Sequence, residues 1–215
     1  SPAEMATAAA ARIGEGYRTV KLKLSGDAAL DVERVAAVRA AIGEAATITL
    51  DPNQSYTAER MIAAYRDMAR YRIALIEQPV PAHDLDGLAR CTRELPADVE
   101  ADESASDVHA VRRLVAGRMV DVINLKITKL GGVRRFAEAV RICEAGGVIP
   151  RVGAAFGPAL LQGFAAHAAS TIAELPHACE LAEHLQLLDD PFTPVPVERG
   201  TIRVPAGPGC GVTYR

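Results

Sequence analysis

Two hydrophobic periods alternate along the chain. In VKLKLSG, residues 20 to 26, Val20, Leu22 and Leu24 fall on one face of an extended segment and Lys21 and Lys23 on the other, because successive strand side chains point to opposite sides. Similar short runs recur at 17–24, 46–51, 73–78, 98–102, 120–126, 147–152 and, more weakly, 178–182. Between them lie Ala-rich segments with helical spacing, such as AALDVERVAAVRAAIG, in which Leu30, Val32, Val35, Val38 and Ile42 trace a stripe behind Asp27 as cap. Thr57 is placed to cap the next helix. Further helices are predicted for LDGLARCTREL, DVHAVRRLVAG, GVRRFAEAVRICEAGG, which ends at Gly146 and Gly147, and PALLQGFAAHAAS. The Ala-rich start, SPAEMATAAAAR, reads as a first helix.

Strands alternating with helices at about 25 residues per unit predict a parallel α/β sheet, either an open doubly wound sheet or a closed barrel. Neither GxGxxG nor GxxxxGK[ST] follows an early strand, which disfavours the open nucleotide-binding type. A barrel gathers polar groups at the C-terminal ends of its strands. Lys23, Asp51, Glu77, Asp102, Lys126 and Arg151 stand at or near predicted strand ends, separated by 28, 26, 25, 24 and 25 residues.

If each unit advances the chain by one barrel position, these side chains converge on one mouth, with three acids flanked by a lysine on each side. Three adjacent carboxylates repel unless a cation neutralises them. Oxygen-only ligands suit a hard divalent ion, Mg²⁺ first and Mn²⁺ as the alternative. An ion at Asp51, Glu77 and Asp102 would stabilise the charge left when an α-proton is removed from a carboxylate substrate. Lys23 and Lys126 would then serve as base and acid. Lys21, on the same strand face as Lys23, supplies the neighbouring positive charge that favours a neutral amine there.

Composition narrows the partners. The 215 residues are 49% hydrophobic and 24% charged, with a net charge of −3 and no long cationic run, so nucleic acid is not expected, and no run of about 18 apolar residues is free of charges, so neither is a membrane span. Cys91, Cys143, Cys179 and Cys210 lack CxxC spacing and read as reduced thiols of a cytoplasmic protein.

The motifs VKLKLSG, LDPNQ, IEQPV, ADES and NLKITKLGG resemble the barrel domain of the enolase superfamily, in its mandelate racemase and muconate lactonizing enzyme subgroup. PAGPGCGV at 205 to 212 resembles the family's C-terminal PxGLGV ending, with Cys210 at the usual Leu position. The resemblance implies a TIM-type (β/α)7β barrel domain over residues 1–215. It is expected to be a fragment without the first strand and the N-terminal capping domain. It also implies metal ligation by Asp51, Glu77 and Asp102, an acid/base pair of Lys23 and Lys126, and an electrostatic helper in Lys21. Asn53 and Glu103 become supporting residues, and Glu180 a candidate contact for the distal part of the substrate. Arg151 is read first as a structural ion pair, Lys129 as a loop or surface residue, and His83 as a residue close to the mouth.

The leading functional expectation is a Mg²⁺-dependent racemase or epimerase acting on an amino-acid-like carboxylate, in a protein that is commonly a homo-oligomer in this family. A dehydratase or muconate-type cycloisomerase would share the first proton abstraction. A non-catalytic barrel fragment is the alternative from another class.

Overall fold

The computed structural model describes residues 1–153 and 155–215. They divide into two units, Ser1–Ser104 with Ala116–Val122, and Ala105–Val115 with Ile123–Arg215.

In the first unit, α1 (Pro2–Gly14) begins with a capping box in which Ser1 and Glu4 satisfy each other's backbone. It is followed by β1 (Thr19–Lys23), α2 (Ala28–Ile42), β2 (Thr47–Asp51), α3 (Ala58–Met68), β3 (Ile73–Glu77), α4 (Leu85–Glu94) and β4 (Asp98–Ala101). Asp27, Thr57 and Asp84 cap α2, α3 and α4 through their side chains, each satisfying one of the amides that a helix start leaves open. The four strands pair in parallel and in chain order. Ile48, Leu50, Leu75, Ile76 and Val99 are fully buried, as expected for strands with helices on one side and a barrel interior on the other.

Strand register turns spacing into a row. Lys23 lies opposite Asp51, Leu50 opposite Ile76, and Glu77 opposite Glu100. Asp51 and Glu77 therefore end neighbouring strands level with each other, and Asp102 follows two residues beyond the partner of Glu77.

The buried face of α2 differs from the apolar stripe read in the sequence. Asp31, Val35, Val38, Arg39 and Ile42 are buried, a regular helical spacing in which two of the five positions are charged. Leu30 and Val32 are only half-buried. Arg39 donates to Tyr71 O (2.9 and 3.1 Å), Gly43 O (2.8 Å) and Ala46 O (2.7 Å). It thus ties the end of α2 to the approach to β3. One planar guanidinium serves all three carbonyls.

The second unit holds most of α5 (Val108–Ala116) and β5 (Val122–Leu125), then α6 (Ile127–Leu130), α7 (Val133–Gly146), β6 (Ile149–Val152) and α8 (Ala159–Ala169), with a short antiparallel pair, β7 (Val197–Glu198) and β8 (Thr201–Ile202). α7 stops at Gly147, whose φ of 70° suits glycine. Gly153 donates to Leu125 O, and a Cβ there would stand 2.2 Å from Asn124 Oδ1, so the end of β6 approaches β5 as only glycine allows.

The weak seventh strand expected at 178–182 is reduced to a parallel bridge between Gly153 and Glu180. Arg151 Nε occupies Ala178 O at 2.7 Å, so a side chain takes the acceptor that a longer ladder would use. Lys129, expected as a loop or surface residue, lies in the single turn of α6 and is half-buried.

Candidate active site

Sequence places Lys21 and Lys23 on the interior face of β1, and the first unit gathers both onto carboxylates from the next two strands. Lys21 Nζ lies 3.0 Å from Asp51 Oδ2 and 2.7 Å from Glu77 Oε2. Lys23 Nζ donates to the same Asp51 Oδ2. The two lysines differ in access: 20% of the Lys21 side chain is exposed and 65% of the Lys23 side chain. Lys21 is thus a structural counter-charge held between acids, and Lys23 is the amine that reaches solvent. Asp51, Glu77 and Asp102 are all buried.

The loops after these strands are braced by polar side chains. Asn53 N donates to Asp51 Oδ1, and Asn53 Nδ2 to Glu103 Oε1, both at 2.9 Å. The two supporting residues inferred from the motifs therefore touch each other, and one touches Asp51. Glu103 Oε2 is buried and has no hydrogen-bond partner among the described residues.

Gln78 was not singled out by the sequence, yet it is fully buried and joins two strand ends. Its Oε1 accepts from Asp102 N and Ser104 N, each at 3.0 Å, and its Nε2 donates to Val80 O (3.0 Å) and Ser104 Oγ (2.9 Å). The signal available in the sequence was a polar side chain in IEQPV between the buried end of a strand and a proline. Asn53, Gln54 and Gln78 have φ of 47°, 68° and 39°, a conformation that costs non-glycine residues energy and clusters at functional sites. All three follow directly on the ends of β2 and β3.

The donor chemistry fits a hard divalent ion. Asp51, Glu77 and Asp102 offer only carboxylate oxygen, are buried, and come from successive strands. The Lys21 ammonium already bridges two of them as a cation. Among the described residues no three His, Cys, Asp or Glu side chains are drawn together around one point.

In the second unit, Lys126 follows directly on β5, at the N-cap position of α6, and is half-buried. Arg151 is buried, and its Nη2 lies 2.9 Å from Glu180 Oε1, so the two residues form the ion pair expected of Arg151. Glu180 is a charge-paired group on that side. His83 is exposed and His184 is buried, with Nε2 2.9 Å from Val195 O. All four cysteines are free thiols. Burial pushes Cys91 and Cys143 up to about 12, which makes them poor nucleophiles. No helix among the described residues is long and apolar enough to cross a membrane.

The model of the family described as "Enolase C-terminal domain-like" matches residues 4–215. The L-Ala-D/L-Glu epimerase of Bacillus subtilis is 32% identical over 99% of this chain and 59% of its own length. Muconate cycloisomerase 1 of Pseudomonas putida is 31% identical over 92% of this chain and 53% of its own. The crystal structure of the dipeptide epimerase from Enterococcus faecalis V583, complexed with Mg and the dipeptide L-Leu-L-Tyr, superposes with a TM-score of 0.95 at 31% identity, over 100% of this chain and 61% of that one. The chain thus spans a little over half the length of these relatives. By this match over nearly its whole length, and by its likeness to these relatives, the chain belongs to the enolase superfamily, in its muconate lactonizing enzyme subgroup, as an α/β barrel domain.

Proposed function

We propose that the protein carrying this chain is an isomerase that racemises or epimerises the α-carbon of an amino-acid-like carboxylate, with dipeptides as the first substrates to test. One observation carries the reading: two ammonium groups from one strand meet on a single buried carboxylate oxygen, beside a second acid from the next strand.

Asp51, Glu77 and Asp102 would hold Mg²⁺, which when bound supplies positive charge for the substrate carboxylate and for the charge that develops as the α-proton leaves. Lys23, the more exposed amine, takes or returns a proton on one side of the α-carbon. Lys126 does the same on the other side, a role carried by its position in the family pattern. Lys21 keeps Asp51 and Glu77 oriented and charge-balanced. Asn53 fixes Asp51 from the loop side. The L-Ala-D/L-Glu epimerase and the epimerase complexed with L-Leu-L-Tyr support the choice of substrate class.

Incubating the intact protein with Mg²⁺ and L-Ala-L-Glu or L-Leu-L-Tyr in D₂O tests this directly. Deuterium should enter the α-position, and both epimers should accumulate. Retention of the α-hydrogen across a panel of dipeptides and N-acylated amino acids would refute it. The muconate cycloisomerase likeness supports cycloisomerisation as the second reading, which lactone formation from muconate would establish.

A further inference from the structure

Asp31 has more hydrogen-bond partners than its helix requires. The start of α2 is already capped by Asp27, whose Oδ1 accepts from Leu30 N. Asp31 is fully buried and directs both carboxylate oxygens away from the helix ladder. It accepts from Ser25 N at 3.0 and 2.9 Å, Ser25 Oγ at 2.9 Å and Gly26 N at 3.0 Å. It also accepts from Arg34 Nη1 at 2.9 Å and Tyr56 OH at 2.8 Å.

Ser25 and Gly26 lie two and three residues beyond Lys23, and Tyr56 lies in the loop after β2, which ends in Asp51. One carboxylate therefore ties together the two loops that follow the strands of Lys23 and Asp51. The loops also meet directly. Gly26 has φ of +84°, and a Cβ there would stand 2.8 Å from Ser55 O, while Arg60 donates to Gly26 O. The backbone between Lys23 and the clasp is fixed as well, because Leu24 N donates to Asp51 O at 3.0 Å.

We propose that Asp31 is a positioning residue for Lys23, with Tyr56 as its second arm: by clamping the turn that ends β1, it sets where the Lys23 amine stands relative to the α-carbon. This rests on Lys23 acting as an acid/base in the proposed function. Charge-assisted bonds to backbone amides are the strong kind. A misplacement of about 1 Å in a reacting group costs on the order of 100-fold in rate.

The test uses the intact protein with Mg²⁺ and measures α-proton exchange in D₂O from each epimer separately, beside the thermal midpoint. Lys23→Ala identifies the epimer whose proton Lys23 removes, because exchange from that epimer should vanish first. Asp31→Asn should then lower kcat for exchange from that same epimer by roughly 10- to 100-fold, with KM changed by less than about threefold and the other epimer much less affected. Tyr56→Phe, which removes one bond and keeps the ring, should give a smaller loss of the same handedness, so the proposal stands or falls even if Asp31→Asn fails to fold. Equal losses from both epimers, or no loss in a folded variant, would overturn the positioning role. Lys23→Ala with unchanged exchange from both epimers would instead overturn the acid/base assignment, and the positioning proposal with it.

Discussion

Replacing Gln78 by Met gives the sharpest test of how the strand ends are held together. The two side chains have similar volume, so the change removes polar atoms and leaves little cavity. Asp102 N and Ser104 N lose their shared acceptor, and Val80 O loses its donor. Ser104 Oγ still donates to Ala82 O. Each buried group left without a partner costs about 1–3 kcal/mol, so the three together predict a loss of roughly 3–6 kcal/mol once local relaxation is allowed for. In a protein of this size about 1 kcal/mol lowers Tm by roughly 2–4 °C, which makes a fall of about 10 °C the expected result. Urea and thermal unfolding of wild type and Gln78→Met, with and without Mg²⁺, provide the measurement. Because Asp102 loses the bond that fixes its backbone, the variant should also need more Mg²⁺ to reach half of its maximal Tm increment. A loss below about 1 kcal/mol, which is ordinary for any substitution, would refute the claim that Gln78 satisfies these groups.

Four further outcomes follow from the same contacts. Arg39→Met should destabilise by about 2–4 kcal/mol in urea, by stranding the carbonyls of Tyr71, Gly43 and Ala46, while leaving the relative exchange rates of the two epimers unchanged. Lys21→Met should lower the Tm of the metal-free protein and enlarge the Tm increment on adding Mg²⁺, since Asp51 and Glu77 would then face each other without a bridging cation. Thiol titration with Ellman's reagent at pH 8 should find Cys91 and Cys143 unreactive in the folded state, because burial holds both up at about 12; half-buried Cys179 should react first, and Cys179→Ser should abolish that phase. Burial, aided by the bond to Asp31, raises the Tyr56 phenol well above its usual value. A raised folded value gives stability that is complete below about pH 10 and lost as pH climbs beyond it, so Tyr56→Phe should lose stability less steeply from pH 10 to 12, by up to about 1.4 kcal/mol per pH unit.

The barrel rhythm and the strand-end row were legible because each rests on local spacing. A parallel strand converts regular separation into level register, so Lys23 stands opposite Asp51 and Asp51 ends its strand level with Glu77. Asn53 and Glu103 are singled out by the motifs that contain them, and the hydrogen bond between them is what the structure adds. Asp31, Arg39 and Gln78 were not legible, because a polar residue in a helix or at a strand end reads as solvent-facing unless its distant partners are known. On α2 the apolar stripe of the sequence includes Leu30 and Val32, whereas Asp31 and Arg39 occupy the buried face. Their partners lie up to 33 positions away, beyond any window of hydrophobic periodicity. The seventh strand reads longer in the sequence than it is, because a β-favourable run carries no sign that Arg151 takes the carbonyl of Ala178.

The ammonium of Lys21 between Asp51 and Glu77 bears on how such a protein can be made. A nascent barrel that had to bury like charges side by side would depend on capturing its ion before it could close. With a covalently attached surrogate already seated, these strands can pair without an ion, and the proposed one would load afterwards.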